Sequence, residues 1–490
     1  MKLNELLKNI AIMDLVGEEA IDITGIAYDS RKVDENYLFA CIIGLKTDGH
    51  EYIEQVIKKG AKALIVEKNI PPIKGITIIR VENSRKALAL ISANFFKHPT
   101  KNMHIIGVTG TNGKTTTTHL IKNILEKNSV HCGLIGTISH KILDKEYKAN
   151  NTTPESLELQ SLFKEMLGLN VNSCAMEVSS HSLDLDRVAG INYKIGVFTN
   201  LTRDHLDFHK NIENYKNAKA KLFYQTSLAN IINIDDQYGA EIANEVKNLD
   251  AKLITYGIEK KAEIYAKDIT ISPKGTEFTL VTPEFEGHIK ISTPGMFSVY
   301  NALAAMAVSY VLGYNFEQIK KGIESIKGVL GRFEAVENTG KYTIIVDYSH
   351  TPDALENALD TIKEFVKGKI ITVFGCGGDR DKTKRPMMGE IAGELSDFCI
   401  ITSDNPRSEK PDEIIKDVEV GIKKTNCKYK MIVDRKEAIR EAIKISEPDD
   451  IILIAGKGHE TYQIIGKKII DFDDKKVSQE ILREEMLDGN

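Results

Sequence analysis

Residues 107–120 read GVTGTNGKTTTTHL, and glycines leading into Lys114 and Thr115 could build a phosphate cradle. In such a cradle backbone N–H groups and a helix N-terminus converge on an anion. The lysine adds a full positive charge, and the threonine hydroxyl reaches Mg²⁺. The usual spelling puts a glycine five positions before Gly113, where this chain has Val108; its glycines stand at Gly107 and Gly110. Context outweighs that departure. The apolar MHIIGVTG, the glycine turn and the amphipathic TTTTHLIKNILEK follow one another as strand, turn and helix.

Further candidates lie at the ends of short apolar runs: CAMEVSS (174–180), IGVFTNLT (195–202) and ANIINID (229–235). Glu177 closes the first, a carboxylate suited to a hard cation such as Mg²⁺. The second opens into TNLTRDHLDFH (199–209), where His205 is either a metal ligand or a hydrogen-bonding loop residue. Thr152 and Thr153 in NTTPES either donate to a ligand or cap the next helix. NAKAKLF (217–223) reads by itself as a basic amphipathic helix.

Strands alternating with helices predict a parallel α/β sheet, whose ligands bind beyond the carboxyl ends of the strands. A second series starts near 340 with YTIIVDYS, KIITVFGCGG, FCIITSDNP and DDIILIAGKG, separated by helices over roughly 352–366, 384–394, 411–423 and 434–446. A smaller α/β region with strands such as ALIVE precedes residue 98. KHPTKN (97–102) reads as a linker because Pro99 disfavours helix, and GRFEAVENTG (331–340) as the second boundary. Three domains follow, over 1–98, 99–335 and 336–490, in keeping with 490 residues.

The chain is 42% apolar and 28% charged with a net charge of −5, an ordinary globular composition that argues against a nucleic-acid partner. Its six cysteines are scattered without a C-x-x-C pair, which reads as reduced, buried thiols. MKLNELLKNI reads as an amphipathic helix rather than a targeting signal. The uncharged stretch 291–316 is a buried helix, its apolar part falling short of the about 20 residues that span a bilayer. A cytoplasmic protein is expected, without stable membrane insertion.

Taken in order, GTNGKTT, TTP, EVSSH, TNLTRDHLDFH, PGMFSVYN, GRFE, DYSHTPDAL, VFGCGGDRDKTKRPMMG, TSDNPRSEKP and GKGHE resemble the Mur ligase family over the whole chain, with YDSRKV and KTDGHEYI in the N-terminal part. The family spells its cradle G-x-x-G-K-T, which Gly110, Gly113, Lys114 and Thr115 match. The resemblance implies three α/β domains: an N-terminal uridylate-binding domain, a central ATP-binding domain with a parallel sheet, and a Rossmann-like C-terminal domain. A monomer is expected, though no residue pattern speaks to it. The resemblance also implies an ATP- and Mg²⁺-dependent reaction, in which a carboxylate of UDP-MurNAc-L-Ala-D-Glu becomes an acyl phosphate and is attacked by an amino acid's amine.

Residue roles carry over on the same terms. Gly110, Thr111, Asn112, Gly113, Lys114, Thr115 and Thr116, with Asn301, Arg332 and Asp347, are implied to hold ATP. Thr115, Glu177, His205 and Lys219 would serve the metal, Lys219 as an N6-carboxylysine. Ser30, Thr152, Thr153, Ser179 and Arg187 would meet the UDP-linked dipeptide. Arg380, Asp404, Asn405, Pro406, Arg407, Gly456 and Glu460 would form a pocket for meso-diaminopimelate. Arg407 would pair with the carboxylate that diaminopimelate has and lysine lacks, and Glu460 with the neighbouring ammonium. A distal analogue such as lanthionine fits the same head group. Ser349 stands where the family has Ala, a small-for-small change, and Leu185 where some members have Gln.

Two rivals are weaker. Folylpolyglutamate synthetases share the mechanism and a similar loop but lack the uridylate domain, and DNPR and GKGHE are not expected in them. A non-catalytic nucleotide sensor would be expected to have lost Lys114, Glu177 or Lys219, and all three are present.

Overall fold

The computed structural model of this chain describes residues 1–44, 47–272, 274–337 and 342–488. Lys46, which opens KTDGHEYI, and residues 338–340 of the stretch expected to hold the second boundary lie outside them.

Among the described residues three main sheets form, all α/β. The N-terminal sheet has five strands, four of them parallel, with Ile12–Val16 antiparallel at one edge. The central sheet has eleven. Its parallel heart runs Lys252–Gly257, Thr226–Asn233, Tyr193–Phe198, His104–Thr109, Ser173–Glu177, Cys132–Ile135, with antiparallel ribbons on both flanks. His104–Thr109 lies between two strands that follow it in the chain, so connections leave it in opposite directions and open a crevice at its carboxyl end. The third sheet has six strands. Thr343–Asp347, Ile451–Ala455, Ile370–Phe374, Phe398–Ile401 and Lys428–Met431 are parallel, and Glu334–Val336 pairs antiparallel with the first.

Burial on both faces explains why the central strands read as unbroken apolar runs. Ile105, Ile106 and Val108 are fully buried, as are Ile231 and Ile232. The uncharged stretch forms the helix Met296–Val311, begun after Pro294-Gly295 and packed among the helix Lys114–Lys127 and central strands. No helix among the described residues is long and apolar enough to cross a membrane.

Three local expectations change. The N-terminal helix is only Leu3–Leu6, closed before Asn9, which takes a left-handed φ of 64°. KHPTKN is a packed turn: Lys97 and His98 are left-handed, and a 3₁₀ helix runs Pro99–Asn102. Proline is well placed there because a first-turn residue needs no N–H, and the buried Thr100 hydroxyl accepts from Asn192 N–H at 3.1 Å. The cysteines are free, as expected, but Cys427 is only half-buried, and it is not apart from Cys399; their sulfurs lie 3.7 Å from each other on adjoining segments.

In the C-terminal part, Arg435 and Asp474 form a fully buried ion pair, with Nε and Nη2 each 2.8 Å from the carboxylate. Arg435 Nη2 also donates to Ala455 O at 2.9 Å. Arg435→Met strands a buried carboxylate, so the C-terminal part should lose about 3–5 kcal/mol, measured as an earlier urea transition of that region.

Candidate active site

The carboxyl ends of the central and third sheets face one cavity of about 650 Å³. On the central side, the turn after His104–Thr109 needs glycine twice. Gly110 and Gly113 have φ of +154° and +85°, and an added Cβ would collide with Thr199 Oγ1 and Asn301 Oδ1 respectively. Gly113 starts the helix Lys114–Lys127 with no side-chain cap, leaving its first N–H groups to a ligand. Gly113→Ala should therefore weaken ATP use at least about tenfold through KM, measured by ATP titration.

Lys114 Nζ folds back onto its own loop, donating to Gly110 O (2.9 Å) and Thr111 O (2.8 Å), and burial pushes its pKa down. The buried Glu177 gathers the neighbouring strand ends. Its Oε1 accepts from Thr115 Oγ1 (3.0 Å) and Thr137 N–H (2.8 Å), and its Oε2 from Thr137 Oγ1 (3.0 Å). Thr152 Oγ1 lies 3.1 Å from Thr137 Oγ1. Arg332 crosses from the third-sheet side, donating from Nη2 to Thr115 Oγ1 (3.0 Å) and lying over the Tyr348 ring at 4.4 Å. Its Nε is buried with no partner among the described residues, as is His459 Nδ1.

His205 is left-handed, with φ 54°, and sits edge-on to His181 at 4.8 Å between ring centroids. Burial lowers its pKa to about 3 against the opposing charge of Asp204, so the ring is neutral and has a lone pair to offer. Lys219, on the helix Ile212–Ala220, is 1% exposed. Its Nζ donates to Gly110 O at 2.7 Å and lies 4.4 Å from the Tyr215 ring centroid. Burial, then the nearby Lys114, push its pKa well below the usual lysine range. Two lysines thus share one loop carbonyl. Lys221 instead pairs with Asp184 at the surface.

Thr111, Asn112, Thr116, Asn301 and Asp347 also line the cavity. Asp347 accepts from Phe333 N–H at 2.6 Å and from the Ser349 hydroxyl. Ser349 is therefore more than a small replacement, because its hydroxyl gives Asp347 a partner that Ala lacks.

The residues expected to meet the UDP-linked dipeptide divide. Thr152 lines the cavity. Thr153, Ser179 and Arg187 cluster behind Glu177: Thr153 Oγ1 donates to Glu177 O (2.8 Å) and accepts from Ser179 N–H (3.0 Å). Arg187 lies 2.8 Å from Glu155, which also meets Arg85 at 3.5 Å. Ser30 lies away from the cavity, in the 3₁₀ turn Ser30–Lys32 of the N-terminal part.

On the third-sheet side Asp404, Asn405, Arg407, Arg380, Gly456 and Glu460 line the cavity, with Pro406 in the same turn. Arg407 is left-handed, with φ 51°, and is strapped by backbone bonds to a hairpin: its N–H donates to Ile464 O (3.0 Å) and its carbonyl accepts from Gly466 N–H (2.7 Å). Its Nη1 donates to Gly378 O at 2.8 Å. Among the described residues no carboxylate lies within 4.0 Å of either Arg407 or the exposed Arg380. Asn405 Nδ2 donates to Glu460 Oε2 at 2.7 Å. Gly456 has φ +113°, and a Cβ there would approach Asp404 Oδ2 to 2.7 Å.

Sequence reading missed Thr137, Glu155, His459, Lys457 and two contacts joining the sides: Asn112 Nδ2 to Asp353 Oδ2 (2.6 Å) and Arg203 Nη2 to Thr383 Oγ1 (3.2 Å). All of these but Thr137 do fall inside quoted motifs, Lys457 and His459 together in GKGHE and Asp353 in DYSHTPDAL.

Three family models match: the Mur ligase middle domain over residues 108–309, the Mur ligase glutamate ligase domain over 331–458, and the Mur ligase family catalytic domain over 22–96. A UDP-N-acetylmuramoyl-L-alanyl-D-glutamate–2,6-diaminopimelate ligase of Alkaliphilus metalliredigens is 53% identical, with 100% of this chain and 99% of the relative covered. The ligase of the same name from Clostridioides difficile is 52% identical over 98% of this chain and 99% of its own length. A solved structure carrying that name superposes with a TM-score of 0.71 at 31% identity, covering 99% of both chains. With a phosphate loop, a buried glutamate at the next strand end and full-length relatives of this identity, the chain belongs to the Mur ligase family.

Proposed function

We propose that this chain is an ATP-dependent, ADP-forming ligase that joins meso-diaminopimelate to the D-Glu carboxylate of UDP-MurNAc-L-Ala-D-Glu, in the cytoplasmic stage of peptidoglycan precursor synthesis. The observation that carries the reading is the shared cavity, with Lys114, Thr115, Glu177 and Arg332 on one wall and Asn405, Arg407 and Glu460 on the other. One wall has the chemistry for nucleotide phosphates, the other for an amino acid with both charges at its far end.

The reaction has two transfers. A substrate carboxylate oxygen bonds to the γ-phosphorus of ATP and ADP departs. The amine nitrogen then bonds to the acyl carbon, phosphate departs, and the amine gives up its proton. The first step brings two anions together, and the second builds negative charge on the acyl oxygen and the departing phosphate; preorganised cations lower both barriers. Lys114 would swing from its loop carbonyls onto the phosphates. Arg332, which reaches the same wall from the third-sheet side and whose buried Nε has no partner among the described residues, would hold them beside Thr115. Asn112–Asp353 and Arg203–Thr383 would hold the two sides together and keep water from the acyl phosphate.

The Thr115 hydroxyl, the Glu177 carboxylate and the neutral His205 ring line the cavity and suit Mg²⁺, while Lys219 lies outside its lining against Gly110 O and would reach the ion only through a carbamate. When bound, the ion would screen phosphate charge. Among the described residues no three His, Cys, Asp or Glu side chains cluster as a metal site, so these side chains alone would not complete the ion's shell. Burial and the nearby Lys114 disfavour the charged form of Lys219, which suits carbamate formation, in which nitrogen bonds to CO₂ carbon and a proton leaves. Arg187 would turn from Glu155 to a substrate carboxylate, and Ser30 would serve the uridylate end.

The test is to supply ATP, Mg²⁺, the UDP-linked dipeptide and meso-diaminopimelate and weigh the products. ADP, phosphate and a nucleotide sugar heavier by diaminopimelate less water are expected. An unchanged nucleotide sugar in the presence of folded protein overturns the reading.

A further inference from the structure

Behind the amino-acid pocket lies an ammonium group to which nothing above gives a role. Lys457 follows Gly456 at the end of the strand Ile451–Ala455 and is fully buried. Its Nζ donates to Tyr462 O at 2.5 Å and to Glu460 Oε2 at 3.0 Å. A buried ammonium is costly unless its charge is needed or well paired. Here the pairing is asymmetric. Glu460 Oε2 receives both Lys457 Nζ and Asn405 Nδ2, while Glu460 Oε1 accepts no hydrogen bond from any described residue. Glu460 nevertheless lines the cavity, and its carboxylate plane is set by the two donors on Oε2.

The same corner contains other charges. Asp404 is 7% exposed beside Gly456, and the buried Arg435 beneath it is paired with Asp474 and bonded to Ala455 O. Burial pushes the Glu460 carboxyl pKa up and Asp404 adds to that, while Lys457 opposes both.

We infer that Lys457 is a specificity-determining positioning residue: by occupying Glu460 Oε2 it turns Oε1 toward the cavity as the acceptor for the entering amino acid's distal ammonium. This rests on the ligase reading above. Lys457 touches no substrate; it acts through Glu460. A Glu460 free to rotate would offer its charge in several directions, and an ammonium is best held by a carboxylate fixed in advance.

The experiment is a double-mutant cycle on the full chain with steady-state phosphate release, varying each substrate in turn. Lys457→Met keeps chain length and removes the charge. Its KM for meso-diaminopimelate is expected to rise at least tenfold, with the KM values for ATP and the UDP-linked dipeptide changed less than twofold. Glu460→Gln alone should raise the same KM, and adding Lys457→Met to it should raise it no further, because the acceptor it orients is already gone. If Lys457→Met does not fold, Lys457→Gln, which keeps a donor and loses the charge, should show a smaller rise confined to the same substrate. A folded Lys457 variant with unchanged KM for diaminopimelate, or effects that multiply in the double variant, would overturn the inference and leave the ligase reading standing. No diaminopimelate-dependent release from the unaltered protein would overturn both.

Discussion

Lys219→Ala is expected to lower turnover at least about a hundredfold and to regain part of it when formate or acetate is added. Lys219 is buried beside the phosphate loop, and burial and Lys114 both disfavour its charged form. An ammonium at that point adds repulsion to Lys114. A carbamate would instead present an anion toward the ion-binding corner, and a short carboxylate diffusing into the space left by alanine would replace its oxygens. Turnover with and without the added acid, at fixed ATP and Mg²⁺, separates the outcomes. Loss without rescue in a folded variant would leave Lys219 as a loop-packing lysine bonded to Gly110 O. Unchanged turnover would remove it from the reaction.

Arg407→Lys should fall mainly on the amino-acid substrate. A diaminopimelate carboxylate pairing with this arginine contributes on the order of 2–5 kcal/mol, or roughly 30-fold to a few thousand-fold in kcat/KM. An ammonium is a point charge on a flexible stem and cannot make the two parallel bonds of a guanidinium. Arg407 is also prepared for the role: its backbone is held left-handed by the hairpin at Ile464 and Gly466, and one guanidinium nitrogen is anchored to Gly378 O. The KM for ATP should barely move. Selectivity over L-lysine that survives the substitution would place the recognised carboxylate elsewhere, with the exposed Arg380 the next residue to change.

The architecture was legible because it rests on periodicity and burial. Runs such as IIGV within His104–Thr109, and IILIA, are apolar throughout and are followed by glycines or polar residues, so parallel strands and their functional ends were readable together. Helices expected over 352–366, 384–394, 411–423 and 434–446 appear as Pro352–Lys363, Lys384–Leu395, Pro411–Ile422 and Arg435–Ile445. The N-terminal helix was overread because amphipathic spacing in MKLNELLKNI persists past Asn9, where the backbone turns left-handed.

Within the site, the loop glycines, Lys114 and Glu177 could be found from chemistry and spacing. His205 could not be settled that way, and Lys219 and Arg332 became visible only through resemblance to a family. What stayed hidden depends on distance in the chain. Glu155 looks like a helix-entry residue until Arg85 and Arg187 are seen on either side of it. Lys457 looks like one basic residue in a glycine turn until its burial against Glu460 is known. Arg435 and Asp474, 39 positions apart, carry no local signal of their pairing.

The most direct measurement is phosphate release from ATP with UDP-MurNAc-L-Ala-D-Glu and Mg²⁺ present, comparing meso-diaminopimelate, L-lysine and no amino acid. Release that depends on diaminopimelate, and is at least about tenfold lower with L-lysine, is the predicted result. Equal release with L-lysine would contradict the assignment of Arg407 to the distal carboxylate, and no amino-acid-dependent release from folded protein would contradict the ligase itself.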